Sequence, residues 1–311
     1  MRLIFMGTPA FALPTLDYCV THHTVVAVVS QPSKPVGRKR LLTPPPVAEQ
    51  ALRLGLPLYQ PETIASLIET LQALEPDVIV TAAYGQFLPQ QVLAIPSVDI
   101  INVHGSLLPK HRGGAPIQRA IEHGDTETGI TIMRMVKRMD AGGIFHQERI
   151  PIEKDETTET LFAKLAHLGP IALDKAWDKI IKRVPPTPQD EGLVTYASNL
   201  KPEEEILDFS RSALTLERKI RAFYPSPSTY TFLDGVRLKV YRAVALDHTT
   251  KAVPGTLLGY GTQGLYVATG DGVLALQELQ LEGKKRMPVD VFKQGVPLTA
   301  ETPVVLKPTR T

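Results

Sequence analysis

Residues 78–109 read VIVTAAYGQFLPQQVLAIPSVDIINVHGSLLP. Two β-branched runs, Val78–Ala82 (VIVTA) and Asp99–Val103 (DIINV), flank a segment rich in turn residues. Unbroken apolar runs of this length read as strands buried on both faces, which is how parallel sheets are built. Outward from this pair the pattern repeats. Arg2–Met6 is a short apolar run stopped by Gly7, and Thr24–Val29 (TVVAVV) is a further buried strand. Phe11–Cys19, Val47–Leu54 and Ile64–Leu74 carry apolar residues at helical spacing between them. The βαβα order predicts an α/β domain with a Rossmann-like, mostly parallel, doubly wound sheet. Two further β-rich runs follow, Gly129–Met135 and Gly143–Ile152. A long helix is expected over Thr158–Lys182, with Pro170 as its one breaking point.

The character changes at Val184–Pro188 (VPPTP), which cannot continue a helix because proline lacks the N–H and clashes with the preceding turn. After a helix over Leu214–Phe223, short strands alternate with glycine turns: Thr229–Leu233, Arg237–Ala245, Gly255–Leu258, Gly264–Thr269 and Gly272–Leu281. That spacing predicts a small closed β-barrel of OB-like type. The expected organisation is a catalytic domain over residues 1–188, a linker over 189–207, and a C-terminal β-barrel domain over 208–311.

Composition narrows the function classes. The 311 residues are 43% hydrophobic and 21% charged, which excludes a disordered or fibrous chain. A single cysteine, Cys19, excludes a disulfide framework and a Cys-based zinc site, and fits a reducing cytoplasm. No apolar run reaches the ~18 residues of a membrane span. The opening MRLIFMGTPAF reads as a strand and turn rather than a signal peptide. The net charge of +2 is unevenly spread. Residues 1–207 hold 20 Lys+Arg against 23 Asp+Glu, and residues 208–311 hold 14 against 9. A basic second part suits a polyanionic partner.

The first βα turn, Gly7-Thr8-Pro9, lacks the GxGxxG spacing that brings backbone against a pyrophosphate, so nicotinamide chemistry is not expected. Asn102 and His104 are two apart at the end of a strand and therefore share a side. Strand C-termini are where open parallel sheets bind ligands. An Asn amide can donate to a developing oxyanion, and a neighbouring His can give or take a proton. Asp140 stands before Ala141-Gly142-Gly143, where an Asx-turn is the alternative to a role in chemistry. The eight histidines show no zinc spacing, and His22-His23 reads as a solvated pair.

The segments MGTPAFALPTL, QPSKPVGRKR, AYGQFLP, NVHGSLLPKHRGGAPIQRAI, GITIMRMVKRMDAGGI, ERKIRAFYPSPST and VATGDGVLALQELQLEGKKRM, in this order from residue 1 to about 290, resemble the methionyl-tRNA formyltransferase family. The resemblance implies formyl transfer from 10-formyltetrahydrofolate to the α-amine of initiator methionyl-tRNA, with no metal. It implies a catalytic trio of Asn102, His104 and Asp140. Asn102 and His104 would stabilise the oxyanion, and Asp140 would orient His104 and assist proton removal. The folate site would be lined by Ser106, Leu107, Leu108 and Pro109 and by Ala83, Tyr84 and Gly85. The tRNA would meet Lys34, Arg38, Lys39 and Arg40 in a basic insertion, Arg218 near the linker, and Lys284, Lys285 and Arg286 in the barrel. Two positions depart from the family pattern: His111, where an aromatic is common, and Ala141, where a threonine is usual. The shared Asn-x-His-Gly-Ser-Leu-Leu-Pro block leaves a second reading, a folate-dependent formyltransferase acting on an amino-sugar nucleotide or glycinamide ribonucleotide. A non-catalytic RNA-binding barrel would need aromatics interleaved with basic residues, and the linear sequence shows no such interleaving. A monomer, free of membranes, is the expected state.

Overall fold

The computed structural model describes residues 1–37, 40–296 and 306–307. The chain divides into two compact units. The first comprises Met1–Pro116, Glu127–Pro151 and Leu161–Ser198. The second comprises Ile117–Thr126, Ile152–Thr160 and Asn199–Thr311.

The first unit holds strands β1 (Arg2–Gly7), β2 (Thr24–Val29), β3 (Lys34–Val36), β4 (Leu41–Thr43), β5 (Leu58–Tyr59), β6 (Val78–Ala82), β7 (Asp99–His104), β8 (Glu127–Arg134) and β9 (Ile144–Pro151). Seven of them form one sheet in the order β5-β2-β1-β6-β7-β8-β9. From β5 to β7 the neighbours are parallel, while β8 and β9 are antiparallel additions at one edge. All five residues of β6 are buried, as an unbroken apolar run requires. The chain steps outward through β1, β2 and β5 and then returns to the other side of β1 to lay down β6 and β7. The strand order therefore reverses between β1 and β6, where a doubly wound sheet opens its ligand crevice.

The helices are α1 (Leu13–His22), α2 (Pro46–Arg53), α3 (Ile68–Ala73), α4 (Gln90–Leu93), α5 (Pro116–His123) and α6 (Thr158–Ile181). Proline lies in the first turn of α1 and of α2, where its missing N–H is harmless. Pro170 does not break α6, which runs through it. Leu161, Leu165, Ala172, Leu173 and Ala176, all fully buried, anchor the helix on both sides of the proline. The basic insertion contains a short antiparallel hairpin, β3–β4, pairing Lys34 with Thr43 and Val36 with Leu41.

The second unit has helix α7 (Ala213–Ala222), an antiparallel sheet and a short helix α8 (Val289–Gly295). Its strands are β10 (Thr229–Leu233), β11 (Val236–Leu246), β12 (Leu257–Gly261), β13 (Gly264–Ala268), β14 (Val273–Leu281) and β15 (Met287–Pro288). The order is β10-β11-β14-β13-β12, with β15 on β14. Two late residues join the free edges. Lys307 exchanges backbone hydrogen bonds of 3.0 and 3.1 Å with Phe232 on β10, and Leu306 N donates to Gly255 O, just before β12, at 2.8 Å. The strand spacing thus yields an antiparallel sheet, as expected, with residues 306–307 bridging from β10 to the segment entering β12. Its inward residues, among them Leu238, Val240, Leu265, Val267, Leu274, Leu276 and Leu279, make one core with Leu216 and Ile220 of α7. Among the described residues no helix is long and apolar enough to cross a membrane, and no three metal-ligating side chains converge.

Of the pair His22-His23, His22 is exposed as expected, but His23 is not solvated. His22 ends α1 and stacks on Tyr18, while the His23 ring stacks on Trp177 of α6 with centroids 4.2 Å apart. His23 Nε2 is buried with no hydrogen-bond partner among the described residues. Burial, helped by the positive N-terminus and His22, holds the His23 pKa below the ordinary imidazole value. An unfolded chain binds this proton first, so folding stability is lost as pH falls below about 6.5. A His23→Phe variant keeps the stacking and removes the titration. Its Tm, measured against the wild type from about pH 8 to about pH 5, should gain on the wild type as pH falls. A constant difference across that range would refute the assignment.

Candidate active site

Strand β7 presents its last residues between two different neighbours. On one side β6 runs parallel and places Thr81 opposite Asn102. On the other, β8 runs antiparallel and places Thr131 opposite His104. Thr81 Oγ1 donates to Asn102 Oδ1 at 2.8 Å. With the carbonyl end of the amide engaged, Nδ2 is left as the donor, the polarity an oxyanion needs.

Thr131 does comparable work for the turn that follows. Its hydroxyl donates to Ser106 O at 2.6 Å and accepts from Leu108 N at 3.1 Å and from Gln147 Nε2 at 2.9 Å. Gln147 also donates to Leu108 O at 2.8 Å. Ser106 is fully buried, and its own hydroxyl closes the turn onto Lys110 O. The Ser106–Pro109 backbone is thereby fixed from two strands.

His104 is 5% exposed. Its Nε2 lies 3.1 Å from His111 O. A carbonyl can only accept, so Nε2 carries the proton. Nδ1 faces Asp140 Oδ2 at 3.8 Å, an ion-pair separation too long for a direct hydrogen bond. Asp140 Oδ2 accepts from Gly113 N at 2.8 Å. The backbone of Asp140 is left-handed at φ 47° and that of His111 at φ 61°. An acceptor-only carboxylate, an imidazole and an unengaged amide donor thus come together at the C-terminal end of β7. Such a set can hold a polarised carbonyl and receive a proton from a nucleophile.

Several residues shaping this centre were not singled out by sequence reasoning. Thr81, Thr131 and Gln147 are visible only through strand register. Arg112 is fully buried and binds Gln189 and Glu191, and this contact holds the Glu191 carboxyl below the usual carboxylate range. Residues Thr195 and Ala197 staple the same loop. Thr195 Oγ1 accepts from His111 N, and Ala197 N donates to Arg112 O at 2.7 Å. A Cβ on Gly113, at φ 129°, would overlap the Ala197 carbonyl oxygen.

The second expected folate segment leaves the end of β6, next to β7. Ala83 and Gly85 are exposed and left-handed, at φ 46° and 87°. Tyr84 is buried, and its carbonyl accepts from Thr8 Oγ1 at 2.8 Å and Gln31 Nε2 at 3.2 Å. This ties the loop to the switch-point crevice. Leu107 and Pro109 are partly exposed, whereas Leu108 is buried.

Of the expected tRNA contacts, Lys34 and Arg40 are exposed in the β3–β4 hairpin, beside exposed Val36, Leu41 and Leu42. Arg38 and Lys39 lie outside the described residues. In the second unit Lys284 and Lys285 are exposed. Arg286 instead forms a two-pronged ion pair with Glu278 and lies over the rings of Tyr224 and Tyr241. The Arg218 guanidinium packs against Gly124. Basic and aromatic residues do interleave in space here, including Arg237 over Tyr230 at 3.5 Å, which the linear sequence does not reveal.

Residues 1–176 match the formyl transferase family, and residues 199–297 match the formyl transferase C-terminal domain. A methionyl-tRNA formyltransferase of Latilactobacillus sakei is 46% identical over 299 residues, covering 94% of each chain. Among solved structures, HypX from Aquifex aeolicus aligns with a TM-score of 0.63 at 17% identity, over 96% of this chain and 49% of that one. This chain thus spans about half the length of that protein. An N-formyltransferase from Helicobacter canadensis, in complex with folinic acid and dTDP-3-aminofucose, aligns with a TM-score of 0.67 at 17% identity, over 89% and 99% of the two chains. At such identities the structural likeness establishes the fold alone.

Replacing Thr131 by valine preserves shape and removes one hydroxyl that makes three hydrogen bonds. A buried donor or acceptor left unpaired costs about 1–3 kcal/mol. Urea unfolding of Thr131→Val should therefore show a loss of at least about 1 kcal/mol. A smaller loss would mean that the turn is fixed by other contacts.

Proposed function

The chain belongs to the methionyl-tRNA formyltransferase family, and on that footing we propose how its residues carry out formyl transfer to the α-amine of initiator methionyl-tRNA. The observation that carries the assignment is the convergence of Asn102, His104 and Asp140 at the end of β7, with His104 Nδ1 3.8 Å from Asp140 Oδ2. When bound, 10-formyltetrahydrofolate supplies the formyl group. The residues present suit it: the segment with exposed Ala83 and Gly85 and the fixed Leu107–Pro109 turn leave neighbouring strand ends beside the switch-point crevice. Backbone amides and carbonyls of these two segments would hold it, with Ser106, Leu108 and Tyr84 supporting them from inside.

Asn102 Nδ2 and the Nε2–H of His104, otherwise shared with the His111 carbonyl, donate to the formyl oxygen as it gains negative charge. Asp140 keeps the imidazole oriented and assists removal of the proton from the attacking amine. That amine must be neutral to attack, since an ammonium has no lone pair. One C–N bond forms, the C–N bond to the folate leaving nitrogen breaks, and the proton taken from the amine ends on that leaving nitrogen.

The β3–β4 hairpin offers Lys34 and Arg40 together with exposed Val36, Leu41 and Leu42, a mixture suited to phosphate and base surface at an acceptor end. Arg38 and Lys39 belong to the same proposed contact. Lys284 and Lys285 serve phosphates, and Arg286 and Arg218 belong to the same proposed tRNA surface, Arg286 held in place by Glu278, Tyr224 and Tyr241. A monomer in the cytoplasm is part of this reading, and the single thiol, Cys19, free and buried, fits the reducing compartment it names. The amino-sugar reading is not favoured: the sugar-enzyme match is 17% identical, against 46% over 94% of the chain for the tRNA enzyme.

His104→Ala and Asp140→Asn should each lower kcat by about 10²–10⁴-fold with the fold intact by near-ultraviolet circular dichroism. The double variant should be little worse than the singles, because groups acting as a unit fail together. Near-normal turnover in both single variants would remove the pair from the mechanism. For the tRNA surface, Lys284→Ala/Lys285→Ala should reduce the slope of log Kd against log salt by about two. An unchanged slope would place those lysines off the tRNA.

A further inference from the structure

We propose that Gln189 is a positioning residue for the Asp140 carboxylate, set in place by the buried Arg112; this rests on Asp140 having the role given above. The segment bearing Gln189 follows the proline-rich VPPTP, where sequence reasoning expects a linker. Its side chain instead reaches the catalytic loop. Gln189 Nε2 donates to Asp140 O at 2.8 Å and to Gly142 O at 2.7 Å. Gln189 Oε1 accepts from Arg112 Nε at 3.0 Å and from Arg112 Nη2 at 2.8 Å.

The chemistry of the partners dictates the residue type. A guanidinium can only donate and a carbonyl can only accept. A side chain placed between them must accept at one end and donate at the other, which an amide does and a carboxylate or an apolar chain does not. Arg112 is 0% exposed, so its charge needs fixed partners, and Glu191 Oε1 at 2.9 Å supplies the counter-charge. The polarity of the Gln189 amide is therefore set by Arg112 and read by the Asp140 turn.

That turn needs support. Asp140 is a non-glycine residue at φ 47°, a conformation that persists only where its surroundings over-determine it. Gly113 N holds the carboxylate and Gln189 holds the backbone beneath it. Arg112 lies between His111, whose carbonyl receives His104 Nε2–H, and Gly113. One loop, 111–113, thus touches both members of the catalytic pair, and Gln189 ties that loop to the Asp140 turn.

The test uses the full-length enzyme with methionyl-tRNA and 10-formyltetrahydrofolate. Gln189→Glu keeps the acceptor for Arg112 and loses the donor to Asp140 O and Gly142 O. Gln189→Met loses both. If the inference holds, both variants lower kcat by roughly 10–100-fold, as outer supports of a site do, while KM for either substrate moves less than about threefold. The pH profile of kcat should also move in the uncharged Gln189→Met. In an Asp140→Asn background, measured in single turnover with enzyme in excess, Gln189→Met should cost less than a further twofold or so, because its effect passes through the carboxylate. Wild-type kcat in Gln189→Glu would overturn the proposal and leave Gln189 as a partner for Arg112 only. Losses that multiply fully in the double variant would overturn it as well. Wild-type kcat in Asp140→Asn would instead strike at the reading of the site on which it rests.

Discussion

The hydrogen bond from Thr81 to Asn102 exists because β6 and β7 run parallel with those two residues opposite each other. The bond from Thr131 to the turn after His104 exists because β8 runs antiparallel on the other side, with Thr131 opposite His104. Register is the constraint on which the site depends. A slip of one residue in either pairing would turn every side chain of the strand to the other face and separate the donors from the turn. A strand buried between two neighbours cannot slip without also exposing Ile101 and Val103, both essentially fully buried. The hydrophobic core therefore protects the alignment of Asn102 and His104 with their neighbours.

The change from parallel to antiparallel pairing at β7 has its own effect. A parallel neighbour ends on the same side and sends its loop, Ala83–Gly85, toward the ligand crevice. An antiparallel neighbour instead brings the middle of a strand past the end of β7, so that rigid groups such as Thr131 and Gln147 can grip the following turn. The site combines a loop pinned through the Tyr84 carbonyl on one side with a wall of strand side chains on the other.

The strands and the long helix were legible in the sequence because each is a local pattern, and Asn102 and His104 were legible as a pair because they are two apart at a strand end, whereas Asp140 was expected only from the family resemblance. Val78–Ala82 and Thr24–Val29 form strands over the bounds their β-branched runs suggest. Antiparallel placement of β8 and β9 was not legible, since an apolar run carries no direction. The roles of Arg112 and Gln189 were hidden for another reason: they are 77 residues apart and meet only after the segment following α6 folds back. Arg286, expected from its basic cluster to meet the tRNA, also pairs with Glu278 and lies over Tyr224 and Tyr241, contacts that a linear run of basic residues does not show. His23 was misjudged because its stacking partner, Trp177, lies on a distant helix.

Lys307 and Leu306 occupy the gap between β10 and the segment entering β12. An unpaired sheet edge is a template onto which another chain can add a strand. By pairing there, Lys307 and Leu306 occupy backbone groups that an open edge would offer to another chain. Without these bonds the amide and carbonyl of Phe232 and the carbonyl of Gly255 would stand open, the kind of groups that a strand from another molecule can claim.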